Sequence, residues 1–267
     1  MTGRELADTQ DGDWQAEQYG KINSLQQLLA SHGLSQLRIR GDERVLDVGC
    51  GDGRVTESVL ERLEHGSLVG VDPSASMVEA ARQRLAGSGR AVVELGDAAT
   101  LDYHAEFDLV VSFNALHWEL RWRQALHRIR EALRTGGRAL LVQVCDGERP
   151  SLEDVAMQTC AAARWSTSFT GFTAPFVHVP PDAYVEAATA SGFVVDRAEV
   201  DDVRWDFGSR ADFAAWCAAG MVSWTSRLPS DQRQAFIDDV LSAYAEVSGS
   251  EGLFAFLQFT VALAATQ

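Results

Sequence analysis

Between residues 44 and 146, short apolar runs alternate with amphipathic stretches. RVLDVG (44–49), SLVGVD (67–72), RAVVEL (90–95), FDLVVSF (107–113) and RALLVQV (138–144) are rich in Val and Leu and read as buried strands. VTESVLERL (55–63), SASMVEAARQRLA (74–86) and RWRQALHRIREALR (121–134) place their apolar residues at helical spacing. This alternation predicts an α/β fold, a doubly wound parallel sheet with helices on both faces, because strand–helix–strand crossovers are right-handed. Gly136-Gly137 is expected to end the third helix and turn the chain into the next strand.

After residue 146 the pattern changes. SLEDVAMQTCAAARW (151–165) reads as a helix, and STSFTGFTAPFVHVPP after it reads as a lid or pocket wall. Tyr184 to Ser191 predicts a helix ending at Gly192, and 193–207 a strand. Helices are expected at 209–219 and 230–247, and Phe254 to Ala265 reads as a last strand pairing hairpin-like with 193–205. Residues 14–38 read as helical. The division that follows is an N-terminal helical cap at 1–40, a core at 41–146, lid insertions and late sheet elements at 147–250, and the last strand at 251–267.

Composition narrows the partners. The chain has 267 residues, 46% of them apolar, which suits one large domain or a domain with a cap. A formal net charge of −15, without a basic stripe, argues against nucleic acid and anionic membranes. The apolar stretch Phe254 to Ala265 contains Gln258 and falls short of the ~18–20 residues that span a bilayer. The opening MTGRELADTQDGDW has no apolar core behind a basic start, so a cytoplasmic location is expected. Cys50, Cys145, Cys160 and Cys217 form no C-x-x-C pair, and no metal site is expected.

The chemistry starts at Asp47-Val48-Gly49-Cys50-Gly51-Asp52-Gly53, a strand running into a glycine loop and then a helix. Such a loop lets a ligand approach the backbone closely. The dinucleotide pattern G-x-G-x-x-G is not met, since Arg54 stands where its third Gly belongs. Asp72 ends the second strand and suits two ribose hydroxyls. Asp47 suits an ammonium group and would repel a pyrophosphate. Asp97 can accept from an adenine amino group. Together they fit S-adenosylmethionine.

VLDVGCGDGRVT, VGVDPSASMV, ELGDA, FDLVVSFNALHW and LRTGGRALL resemble the successive motifs of class I S-adenosylmethionine-dependent methyltransferases. The resemblance implies a mostly parallel, seven-stranded, Rossmann-like sheet with a helical, aromatic-rich lid. It also implies that Gly49, Cys50 and Gly51 line the methionine portion and Asp72 the ribose. Pro73, Ser74 and Met77 would then face the adenine, Asp97 and Ala98 would meet its edge, and Ser112, Phe113 and Asn114 would lie beneath the sulfonium.

Residues 16–26 and SFNALHWELRWRQALHRIREALRTGG are similar to the juvenile-hormone acid and trans-aconitate methyltransferase group, which esterifies carboxylic acids. That similarity implies that Gln26 and Trp118 hold a substrate carboxylate. His117 keeps two alternatives open: a structural imidazole, or a general base for a hydroxyl or phenol acceptor. A non-catalytic, cofactor-binding protein of the same fold is the remaining alternative. The expected partner is a small-molecule acceptor, and the expected assembly a monomer or homodimer. Trp165, Phe169, Phe172, Phe176, Trp205, Trp216 and Trp224 suit an apolar, bulky ligand.

Overall fold

The computed structural model describes residues 37–266 together with Leu25, Ser31 and residues 33–35. Strand β1 (Arg44–Val48) leads through helix α1 (Arg54–Leu60) to β2 (Ser67–Asp72), then α2 (Ala75–Leu85) to β3 (Ala91–Leu95). β4 (Phe107–Phe113), α3 (Trp122–Ala132) and β5 (Leu133–Val144) continue the alternation. Next come α4 (Leu152–Ala161), α5 (Pro181–Ala190), β6 (Phe193–Asp206), α6 (Arg210–Gly220), the short α7 (Val222–Thr225), α8 (Arg233–Ser248) and β7 (Leu253–Ala265).

The seven strands form one sheet in the order β3-β2-β1-β4-β5-β7-β6. The first five pair in parallel, and β7 runs antiparallel to both β5 and β6. The expected partnership of the last two strands is therefore present, from Phe193 opposite Ala265 to Asp206 opposite Leu253.

Side-chain alternation along β1 sorts the core. Val45 joins Leu60, Val78 and Leu85 on the face covered by α1 and α2. Leu46 and Val48 join Leu126, Ile129 and Tyr184 on the face covered by α3 and α5. Central strands buried on both faces have continuous Val/Leu runs for this reason. A third, aromatic cluster lies among α4, α6, α8 and β7, and all the lid aromatics named from the sequence belong to it or pack on it. Tyr244 pins α8 to β7, its hydroxyl donating to the Ala255 carbonyl (2.6 Å) and accepting from the Ala255 N–H (3.1 Å).

Several boundaries differ from expectation. Helix α3 stops at Ala132, and Leu133 is already extended opposite Phe107. The Gly136-Gly137 pair thus lies within a bulged strand, where the register jumps between Phe107 and Leu109, and not at a helix end. Gly136 takes the left-handed conformation there (φ 75°). Helix α4 ends at Ala161, and tight turns follow. One reason is that the Trp165 indole N–H donates to Asp239 (2.9 Å) while its ring meets Phe236 edge-on, which ties this turn to α8. Helix α5 starts a turn early because Pro181 occupies its first position, where a missing N–H is harmless.

Candidate active site at the carboxyl edge of the sheet

Parallel pairing brings the C-terminal ends of β1, β2, β3 and β4 to one edge, where ligands of open α/β sheets bind. Gly49 there has φ 77°, and a Cβ added to it would stand 2.1 Å from the Ala115 Cβ. The loop after β1 and the turn after β4 therefore touch at a point that only glycine permits. The Gly49 and Cys50 N–H groups both donate to the Val71 carbonyl, at 2.7 and 3.1 Å. Among the described residues, nothing lies within 4 Å of where a Cβ on Gly51 (φ 54°) would be, so the loop backbone borders open space there.

Asp72 is buried, and its two oxygens accept from Gly51 N–H and Ser74 N–H, both at 2.9 Å. The carboxylate is thus fixed at the mouth of the loop. Asp47 lies behind it, 2% exposed, accepting from the Thr56 hydroxyl at 2.7 Å. Burial pushes its carboxyl up to about 7; the Thr56 hydrogen bond pulls it down and the Asp72 charge pushes it further up. Cys50 packs its thiol against Gly70, and burial together with Asp47 and Asp72 raises that thiol far above its ordinary value. Its backbone is what faces the loop chemistry.

The remaining positions named from the sequence fall as follows. Pro73 is exposed at the start of α2, Met77 is buried, and the Ser74 hydroxyl caps the helix by accepting from Met77 N–H (3.3 Å). Asp97 caps the turn at Ala98–Thr100 by accepting from Ala99 N–H (2.8 Å), and its other oxygen meets Arg121 at 2.6 Å. Ala98 is half-buried. Ser112 is fully buried, its hydroxyl donating to the Val48 carbonyl (2.7 Å). Phe113 is half-buried, and its ring edge would lie 2.9 Å from a Cβ on Gly33. Asn114 takes the left-handed conformation (φ 54°), with its N–H on the Val142 carbonyl at 2.7 Å. Gln26 and most of the N-terminal segment fall outside the described residues.

Beyond β4, Leu116–Trp118 forms one tight turn, held by the Val177 N–H donating to the His117 carbonyl (2.8 Å). His117 is 5% exposed, its Nδ1 has no hydrogen-bond partner, and burial with His178 nearby holds its pKa well below the ordinary histidine value. Such an imidazole is neutral near pH 7 and a weak base, which counts against the general-base role expected as an alternative. Trp118 is half-buried, its ring 5.2 Å from that of His117, 6.4 Å from Phe176 and 6.2 Å from Trp224. Sequence reasoning passed over Thr56, Ala115, Arg121 and His178. Only Arg121 left a trace, as a cation two residues after Glu119, with which it pairs at 3.2 Å.

A methyltransferase-domain family model matches residues 45–137, from β1 to the bulge of β5. Among curated proteins, a trans-aconitate 2-methyltransferase of Sinorhizobium fredii is 30% identical over 239 residues, covering 87% of this chain and 88% of that protein. Among solved structures, the Bacillus subtilis YcgJ protein superposes with a TM-score of 0.67 at 18% identity, over 90% of this chain and 99% of that one. A Haemonchus contortus phosphoethanolamine N-methyltransferase, solved with S-adenosylhomocysteine, gives 0.64 at 15% identity, over 94% of this chain and 57% of that one. The glycine loop bordering open space, the fixed Asp72 and the buried Asp47 fit S-adenosylmethionine, and with these relatives they make the chain an enzyme of the class I S-adenosylmethionine-dependent methyltransferase family.

Proposed function

We propose that the methyl group goes to a small carboxylic acid with an apolar body. The observation that carries this reading is the character of the wall beside Trp118, which is aromatic and contains a histidine held neutral by burial. Such a wall suits an acceptor that needs no deprotonation, and a carboxylate near pKa ~4 is already ionised at neutral pH. The kinship with trans-aconitate 2-methyltransferases supports the same acceptor group. Of three arginines a tricarboxylate could call on, Arg164 pairs with Asp239 (2.8 Å) and Arg204 with Asp202 (3.4 Å), while Arg227 stacks over the Phe172 ring (5.1 Å), so they are not gathered into one anion site. The aromatic cluster favours a larger apolar acid.

S-adenosylmethionine supplies an electrophilic methyl on a sulfonium, and it departs as a neutral thioether. The loop backbone at Gly49–Gly51 would hold the methionine portion, Asp47 its ammonium and Asp72 the ribose hydroxyls. Asp97 and Ala98 would meet the adenine edge beside Pro73, Ser74 and Met77, with Ser112, Phe113 and Asn114 as the floor. An ionised carboxylate oxygen would accept that methyl with its own lone pair while the thioether leaves, so the chain's residues need move no proton. Because opposite charges cancel, a dry aromatic pocket lowers the barrier. Trp118 Nε1–H and the Gln26 amide orient the acceptor without the strong ground-state stabilisation an arginine would give.

A panel of fatty, aromatic and polycarboxylic acids beside matched phenols and amines tests this reading, with product hydrolysed in mild base to reveal an ester. Trp118→Phe keeps the ring and deletes the donor, and should lower kcat/KM for the preferred acid by about ten- to a hundredfold. Turnover confined to phenols, and abolished in His117→Ala, would instead assign the general-base chemistry.

A further inference from the structure

Among the described residues, seven buried side-chain polar atoms lack a hydrogen-bond partner, one of them the isolated Thr260 hydroxyl on β7. Glu43 and Arg138 form an ion pair with each other (2.6 Å), and Arg197 faces Glu199 at 3.8 Å. Three others, His117 Nδ1, His178 Nε2 and Trp224 Nε1, gather in one place. The His178 ring lies 6.0 Å from His117 and 4.7 Å from Phe176, and Trp224 lies 6.2 Å from both Phe176 and Trp118. Trp224 is only 1% exposed. A folded chain rarely leaves such atoms dry, since each unmade hydrogen bond costs stability, and three arranged around the Trp118 and Phe176 rings mark a place completed by something else.

The chemistry of the atoms narrows the ligand. An indole N–H only donates, so its partner must accept. The imidazole of His178 donates as well when its proton is on Nε2. A carboxylate accepts at about four positions, so one that meets Trp118 has room for two further donors.

We propose that Trp224 Nε1–H and His178 Nε2–H are positioning donors for the carboxylate oxygen that is not methylated, fixing which oxygen faces the methyl group. This assignment rests on the carboxylic-acid reading above. Burial is the larger effect on the Glu153 carboxyl and raises its pKa, while His178 lies near enough to pull it down by less; the net rise reduces its repulsion of a bound anion.

The test uses the full chain and whichever of decanoate, trans-cinnamate and trans-aconitate the wild type methylates best. Trp224→Phe and His178→Phe should each raise KM for that acid about 10- to 100-fold, with S-adenosylmethionine affinity by calorimetry within twofold of wild type. His178→Gln, which retains an N–H donor, should recover most of the loss, whereas a packing role would not discriminate Gln from Phe in this direction. If Trp224→Phe does not fold, the His178 pair decides alone. Acid turnover with KM unmoved in the Phe variants overturns this assignment and leaves the carboxylic-acid reading standing. A wild type that methylates only phenols or amines overturns both.

Discussion

Asp47 shows what one buried carboxyl does to the whole chain. Its folded pKa of about 7 lies above its ordinary value of 3.8, so the native state holds the proton more tightly than the unfolded state. For an acid shifted in this direction the cost is absent below about pH 4, grows as pH rises, and is complete above about 7. Asp47→Asn, which still accepts from Thr56, should therefore gain on the wild type by about 2 kcal/mol between pH 5.5 and 8. Urea unfolding at the two pH values measures it, and a constant gap would mean a carboxyl ionised at its ordinary pKa. An ammonium beside Asp47 would pull the pKa back down, so S-adenosylmethionine affinity should rise with pH towards 7 in the wild type and stay flat in the variant.

Among the elements, α4 shows how local signals set boundaries. Ser151 and Asp154 form a reciprocal capping box, Ser151 Oγ accepting from Asp154 N–H (3.0 Å) and Asp154 accepting from Ser151 N–H (2.9 Å). Ser151→Ala should cost about 1 kcal/mol and lower Tm by roughly 2–4 °C, readable by calorimetry. The strands were legible because two-sided burial demands uninterrupted Val and Leu, as in β1 and β4. The Gly136-Gly137 bulge was not, because glycines mark a left-handed backbone without saying whether a turn or a strand irregularity uses it. Within the candidate site, Gly49, Gly51 and Asp72 could be found by their order along one strand–loop–helix–strand unit. The neighbourhood of His117, His178 and Trp224 could not, since those residues come from three distant segments and no spacing rule joins them.

At the scale of the molecule, a ligand held at the junction of four strands stabilises the fold as a whole. S-adenosylmethionine at a hundred times its Kd should add about 2.7 kcal/mol, a Tm rise of roughly 5–10 °C. Asp72→Ala, which removes the carboxylate that Gly51 and Ser74 hold in place, should shrink that rise at the same ligand concentration; an undiminished shift would move the ribose site elsewhere. The sheet order carries a further consequence, for synthesis. β7 follows β6 in the chain yet lies between β5 and β6. While the ribosome is still making α6 to α8, β6 has no strand beside it, and β5 offers Leu140 to Val142 as an open edge. The nascent chain thus passes through a stage with two unpaired edges that only its latest strand can close, and the alternating charges of β6 (Asp196, Arg197, Glu199, Asp201, Asp202, Arg204) guard that strand against joining another chain meanwhile.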